Sequence, residues 1–330
     1  MIGRRLKALS AAVGGAAVLT VMSGALAQDK TLKVTLAGGS VGGAWSAMGS
    51  AIGEAIRRQS PGAAFTYEPG RDAANVQLVA QKRVELAIAH AQIARRAAAG
   101  EAPFAAKIGN VKGVAMLDKL ATLQVIAAHA FGAASVEEIG AKKLKARVAL
   151  NVRGSLMAIT GEELLKAAGA PVKDLEAAGG KVHYVAYNDG LEMLKSGQVD
   201  IVVNMLEFPS RQLVNATRDL KVRFLPMSAA TAGALNAALG TSSMSIPAGT
   251  YPFQSSAIET ISGHVVLLAA DETSAEVVAT TVRAMLKNFD YLKAAHAALG
   301  RLTPADLPLT PGVELHPAAA AVYKEAGLLK

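Results

Sequence analysis

The sequence predicts an α/β protein made of two doubly wound lobes. Apolar runs of strand length alternate with segments of helical spacing, the order that gives parallel sheets covered by helices. A Gly-Ser loop between strand and helix occurs twice, as Gly39-Ser40 and Gly154-Ser155, and Val84-Glu85-Leu86 recurs as Val199-Asp200-Ile201. Both recurrences fall at one offset, 115 residues, which points to two similar lobes.

The chain opens with Arg4, Arg5 and Lys7, then an apolar stretch that closes on Ala25-Leu26-Ala27. That pattern predicts a cleavable secretory signal over residues 1–27, cut after Ala27. The Arg4-Arg5 pair leaves a twin-arginine route open beside the general one. LKVTLA (32–37) is then a first strand, and Met48, Ile52, Ala55 and Ile56 mark one face of a helix stopped by Ser60-Pro61-Gly62. AAFTYEP (63–69) and VELAIA (84–89) are further strands, with a helix capped by Asp72 between them and another in AQIARRAAA. The pattern restarts with Ser135-x-x-Glu138, a capping box, followed by the strand ARVALNV (146–152) and a helix through Glu162-Glu163-Leu164-Leu165. KVHYVA, VDIVVNM and KVRFLPM are strands, with helices opening near Asp189 and Ser210. HVVLLA (264–269), a helix from Ser274 to Leu292, and a last helix starting at His316-Pro317 complete the chain.

Composition excludes several classes. The 330 residues are 52% hydrophobic and 18% charged, an ordinary globular mix. The formal charge of +8 falls to +5 once Arg4, Arg5 and Lys7 leave with the signal, and no dense Lys/Arg run follows. Nucleic-acid binding is not expected, whereas a mild attraction for anions is. The absence of cysteine excludes disulfides, thiol chemistry, Cys-based metal sites and an N-terminal lipid anchor. An exported chain without an anchor is expected to be free in a periplasm. The six histidines form no HExxH and no i, i+4 pair with a nearby acid, so neither metal nor cofactor is expected. There is no GxSxG elbow.

The loop LAGGSVGGAWS (36–46) carries the functional question. It lacks both the GxxxxGK[ST] form and GxGxxG, which disfavours a nucleotide phosphate. Ligands in open α/β sheets sit beyond the strand carboxyl ends, where helix N-termini offer unpaired N–H groups and a partial positive charge. Two such loops facing one cleft would grip a small anion from both sides; a tight turn is the bland reading. His90 and Gln92 follow a strand end and can reach a cleft or be buried. Arg71 can pair with a carboxylate or face solvent. Asn204, Glu207 and Phe208 end a strand of the second lobe, and Trp45 can shield a ligand or sit in the core.

LAGGSVGGAWSAMGSAIGEAIRR, VQLVAQKRVELAIAHAQIA, VRGSLMAITGEELLKAAG, IPAGTYPFQSSAIETISGHVVLLAADE and LHPAAAAVYKEAGLL together resemble the TAXI-type solute-binding subunits of TRAP transporters, in order and spacing. The resemblance implies the periplasmic-binding-protein type II fold, two doubly wound lobes joined by a hinge. Lobe 1 would be residues 28–118 plus 230–330, and lobe 2 residues 119–229. It implies a periplasmic receptor, a monomer without catalysis, that delivers a small organic anion to a TRAP membrane permease of fused small and large subunits. Glutamate, glutamine, dicarboxylates and 2-oxo acids are the ligand class. Carried over by position, the ligand residues would be Gly39, Ser40, Gly42, Gly43, Ala44 and Trp45, with Ser155, Leu156 and Met157 opposite and Asn204 to Phe208 nearby. Val41 lengthens the family's usual GGTGG loop. His90-Ala91-Gln92 stands where the family has Gln-Ser-Asp, and losing that acid favours a carboxylate without an amine. A binding protein of an ABC importer (nitrate, sulfonate or thiamine-precursor type) is the alternative within transport. A secreted α/β hydrolase using Ser40 or Ser155 is the alternative outside it.

Overall fold

The computed structural model describes residues 31–330, and the expected signal peptide lies outside them. In chain order the elements are β1 (Lys33–Ala37), α1 (Ala44–Gln59), β2 (Ala64–Glu68), α2 (Asp72–Ala80), β3 (Leu86–His90), α3 (Ala91–Ala99), β4 (Val111–Ala128), α4 (Glu137–Ala141), β5 (Arg147–Leu150), α5 (Leu156–Ala167), α6 (Val172–Ala177), β6 (Lys181–Tyr184) and α7 (Tyr187–Lys195). There follow β7 (Ile201–Leu206), α8 (Arg211–Ala216), β8 (Val222–Phe224), α9 (Ala229–Leu239), β9 (Ser242–Ile246), β10 (Ile258–Ala270), α10 (Ala275–Lys287), α11 (Phe289–Ala295), α12 (Ala297–Gly300) and α13 (Pro317–Glu325).

The strands form one sheet in the order β2-β1-β3-β10-β4-β7-β5-β6, with β8 beside β4 and β9 beside β10. Its outer parts, β2-β1-β3 and β7-β5-β6, are parallel, as strand–helix alternation requires. The middle is not. β10 runs antiparallel to β3 and β4, and β4 antiparallel to β7, so the sheet is mixed rather than wholly parallel. β4 is 18 residues long, and its apolar run is interrupted by Asp118-Lys119, which hides it from a search for short buried strands. Its first part pairs with β10 from Val265 onward, its second with β7. The register of β4 against β10 shifts on both sides of Val265, next to the crossing between the two halves.

The recurrence of Val-acid-aliphatic has a structural cause. Glu85 N–H donates to the Thr35 carbonyl, and a Glu85 carboxylate oxygen accepts the Thr35 N–H at 2.6 Å. Asp200 makes the same fork with Arg147, where its carboxylate accepts the backbone N–H at 2.8 Å and the guanidinium as well. In both halves the acid pairs the strand that enters it with the strand before the glycine loop.

Helix α1 buries Met48, Ala51, Ile52, Ala55 and Ile56, the face read from the sequence. Helix α4 is not closed by the expected box: Glu138 accepts the Ala134 N–H, and Ser135 caps nothing. The long helix expected from Ser274 is two helices, broken at Asn288, whose amide donates to the Ala284 carbonyl. His316 caps the helix that begins at Pro317, its Nδ1 accepting the Ala318 N–H.

Two helical glycines separate packing from propensity. A Cβ at Gly53 would collide with the Phe65 ring, whereas one at Gly233, exposed in α9, meets nothing within 4 Å. Gly53→Ala is therefore expected to destabilise by about 1–3 kcal/mol through overpacking, and Gly233→Ala to stabilise by up to about 1 kcal/mol through helix propensity. Urea unfolding of the two variants checks both signs.

Candidate functional site

The two glycine loops share one backbone course. Gly42 and Gly154 both take the left-handed conformation, with φ of 78° and 80°, and each stands one residue before a helix N-cap. The structural match is therefore Gly42-Gly43 with Gly154-Ser155, a spacing of 112 residues, rather than Gly39-Ser40 with Gly154-Ser155. What differs is the cap. Ser155 Oγ accepts the Ala158 N–H and donates to the Val152 carbonyl, whereas Gly43 leaves α1 with no side-chain cap and no acid in its first turn.

Helix α5 receives an anion from the protein itself. Asp72, fully buried, is the first residue of α2 and not its cap, a position held by Arg71. One of its carboxylate oxygens accepts the His90 N–H at 2.7 Å and meets His90 Nδ1 at 3.0 Å; the other accepts the Leu156 N–H at 2.8 Å. The Ala73 N–H donates to the Gly154 carbonyl at 3.0 Å. The start of α2 and the start of α5, from opposite halves of the sheet, are thus joined directly.

Beside this junction a cleft of about 420 Å³ opens over β4, β7 and β10. Gly43, Ala44 and Trp45 bring the uncapped end of α1 to it, and Ala186 to Asp189 bring the end of α7, which also has no side-chain cap but carries Asp189 in its first turn. The two ends approach closely enough that a Cβ on Gly42 would lie 3.9 Å from Asn188 Nδ2. Among the described residues the helix starts at the cleft without a side-chain cap are those of α1, α2 and α7; the start of α2 is joined to α5 through Ala73, which leaves α1 and α7.

Of the residues singled out from sequence, Gly39, Ser40, Gly43, Ala44, Trp45, Arg71, Ser155, Met157, Asn204 and Glu207 line this space. Gly42, His90, Gln92, Leu156 and Phe208 do not. His90 is held under Trp45, ring centroids 5.1 Å apart, by Asp72. Gln92 is buried between the His264 N–H and the Gly240 carbonyl. Phe208 lies under the Arg301 guanidinium. Ser155 is consumed as a cap, and among the described residues no histidine hydrogen-bonds to it or to Ser40.

Sequence reading missed Asp118, Asn151, Tyr187 and Gln212, which also line the cleft. Asp118 comes from the unrecognised strand β4. Tyr187 could have been found as the start of an amphipathic helix without a Ser, Thr or Asp cap. Glu207 is fixed by a buried chain: Gln124 Nε2 donates to its carbonyl, the Tyr251 hydroxyl donates to Gln124 Oε1, and the Ser210 N–H donates to the Tyr251 hydroxyl. Burial and the neighbouring Asp118 charge push the Glu207 carboxyl up to about 7. Burial also raises Asp118. His296 is lowered to about 4 by burial and by Arg211 and Arg301; its Nδ1 accepts the Ala298 N–H, so the proton sits on Nε2, 3.5 Å from Glu207.

The NMT1-like family matches residues 36–327. No curated protein matches the sequence. Among solved structures, the periplasmic binding protein BugD is 16% identical with a TM-score of 0.54, over 90% of this chain and 98% of its own. MatC from Rhodopseudomonas palustris, solved with malate, is 15% identical with a TM-score of 0.57, over 91% of this chain and 99% of its own. At these identities the likeness is one of fold. From Leu36 to Gly327 the chain belongs to the NMT1-like family, on the fold of the periplasmic solute-binding proteins.

Proposed function

We propose that this protein captures a small organic carboxylate in the periplasm and delivers it to a TRAP-type permease driven by an ion gradient. The observation that carries the reading is the convergence of two uncapped helix N-termini, α1 and α7, from opposite halves of the sheet, on one cleft. A carboxylate held there takes up N–H groups that the protein leaves without side-chain partners, where the helix dipoles favour negative charge. Asn204 and Gln212 add amide groups to the lining. Malate in a protein of the same fold is in keeping with this chemistry. The motif stretches that resemble the TAXI-type subunits support the TRAP partner.

β4 and β10 are proposed as the hinge, bending at Asp118–Ala121 and Gly263–Val265. The second lobe then extends beyond residue 229, because α9 packs against α5 and Glu137 accepts the Thr231 hydroxyl. Asp72, reaching from α2 to the Leu156 N–H, and Ala73, bonded to Gly154, act as the latch between the lobes.

A thermal-shift screen over carboxylates and amino acids tests the reading. A ligand at about a hundred times its Kd adds about 2.7 kcal/mol, a rise of several degrees in Tm. Gly43→Asp places a carboxylate cap on α1, with its Cβ tight against the Ser40 carbonyl at 3.1 Å, and is expected to abolish the shift in a protein that still unfolds cooperatively. A Gly43→Asp protein that responds like wild type overturns the assignment of the α1 end.

Asp72→Ala strips partners from the buried His90 ring and the Leu156 N–H. It is expected to cost about 1–3 kcal/mol in urea unfolding, the scale for buried polar groups left unsatisfied.

A further inference from the structure

The floor of the cleft is more acidic than a carboxylate alone requires. Among the described residues Arg71 is the one basic side chain in the lining, and it is exposed. Asp72, Asp118, Asp189 and Glu207 line the same space. Asp72 is spent on His90 and Leu156, and Asp189 is exposed on the first turn of α7. Asp118 and Glu207 remain, each only 3% exposed. They come from different strands: Asp118 from the middle of β4, Glu207 from the end of β7.

Among the described residues no lysine or arginine pairs directly with either carboxyl; Arg301 acts on both, and Arg211 on Glu207, from a longer distance. One Asp118 oxygen accepts the Leu120 N–H at 2.9 Å. Glu207 has its own N–H and the neutral His296 ring. The Arg301 guanidinium donates to the Phe208 carbonyl and lies over the Phe208 ring instead of pairing with either acid. The Tyr187 hydroxyl, on a side chain nine-tenths buried and in the same lining, makes no hydrogen bond of good geometry among the described residues, with the Ser210 hydroxyl its nearest polar neighbour.

We propose that Asp118 and Glu207, with the Tyr187 hydroxyl, form an ammonium subsite, so that the ligand is a zwitterion of the α-amino acid class. The inference rests on the carboxylate reading above: the ligand carboxylate meets the ends of α1 and α7, and its ammonium meets the floor. Two adjacent buried carboxyls repel one another and any second carboxylate, whereas a cation between them relieves both costs. The acid missing at Gln92 argued against an amine, and the fold supplies that charge from β4 and β7 instead.

A proton follows from the geometry. Around Glu207 stand Asp118 from β4, Arg211 from α8, His296 and Arg301 flanking α12, Tyr187 from α7, and Tyr251. Burial and Asp118 raise Glu207 to about 7, while its own N–H and the two arginines hold it down. Both phenols are raised by burial and stay neutral. An ammonium beside Glu207 lowers its pKa, so Glu207 by itself releases about half a proton on binding at pH 7 and weakens binding about tenfold from pH 8 to pH 6, and Asp118, also raised, acts in the same direction. A ligand with only carboxylates reverses both signs.

Titration calorimetry on the purified protein, in buffers of different ionisation enthalpy, tests this with matched probes: L-glutamate and glutarate, L-aspartate and succinate, L-leucine and 4-methylpentanoate. The expected result is that an amino acid binds at least tenfold tighter than its desamino partner and releases a proton. Glu207→Gln and Asp118→Asn should each cut amino-acid affinity about tenfold or more, and Glu207→Gln should flatten its pH dependence between 6 and 8. Tighter binding of a desamino probe, or proton uptake by wild type, overturns the ammonium subsite and leaves the carboxylate reading standing. Binding of none of the probes overturns both.

Discussion

The antiparallel pairing of β4 with β10 is the constraint on which the rest of the molecule depends. Each strand is long enough to belong to both halves of the sheet, so neither half has a complete sheet without them. The same pairing places the cleft. Where β4 leaves β10 for β7, the floor of the cleft is formed, and Asp118 and Val265, partners in the register, both line it. A bend at this point, in the proposed hinge, moves the helix ends that flank the cleft while the floor stays hydrogen-bonded.

A second constraint is the divergence of two loops with one backbone. Gly42-Gly43 and Gly154-Ser155 each carry a strand into a helix through a left-handed glycine, and one side chain separates them. Serine satisfies an N–H of its own helix and leaves the next to Asp72, so the end of α5 becomes a structural joint. Glycine provides no side-chain cap, and in the proposed function the end of α1 is left for a ligand. The same geometry thus serves packing in one half and, in the proposed function, recognition in the other.

Much of the fold was legible because it is local. The helical face of Met48, Ile52 and Ile56 and the strand runs around Val34, Ile88 and Val202 are periodic patterns set by nearest neighbours. The Val-acid-aliphatic recurrence was legible as a repeat, though its fork of hydrogen bonds was not. β4 escaped because Asp118-Lys119 interrupts its apolar run at the crossing between the two halves. The equation of Gly39-Ser40 with Gly154-Ser155 slipped by three residues because the letters match better there than the backbone does. Asp72 looked like a cap because its partners, His90 and Leu156, lie 18 and 84 residues away. Asp118 and Glu207 belong to one site only through sheet order, which no spacing encodes.

The electrostatics of the cleft are layered. Its rim carries the positive ends of α1 and α7, and its floor carries carboxyls held in place by β4 and by the Gln124–Tyr251–Ser210 chain. In bulk water such charges act weakly at a few ångströms, but the buried floor lowers the dielectric and gives each layer a larger field. The ligand-free protein bears the cost, since burial raises both carboxyls and the Asp118 charge raises Glu207 further. A molecule whose charge order matches the layers recovers that cost and is oriented by it. One with two negative ends meets an attractive rim and a repulsive floor. Selectivity in the proposed function then resides less in the glycine loop, which any carboxylate can satisfy, than in the strands beneath it.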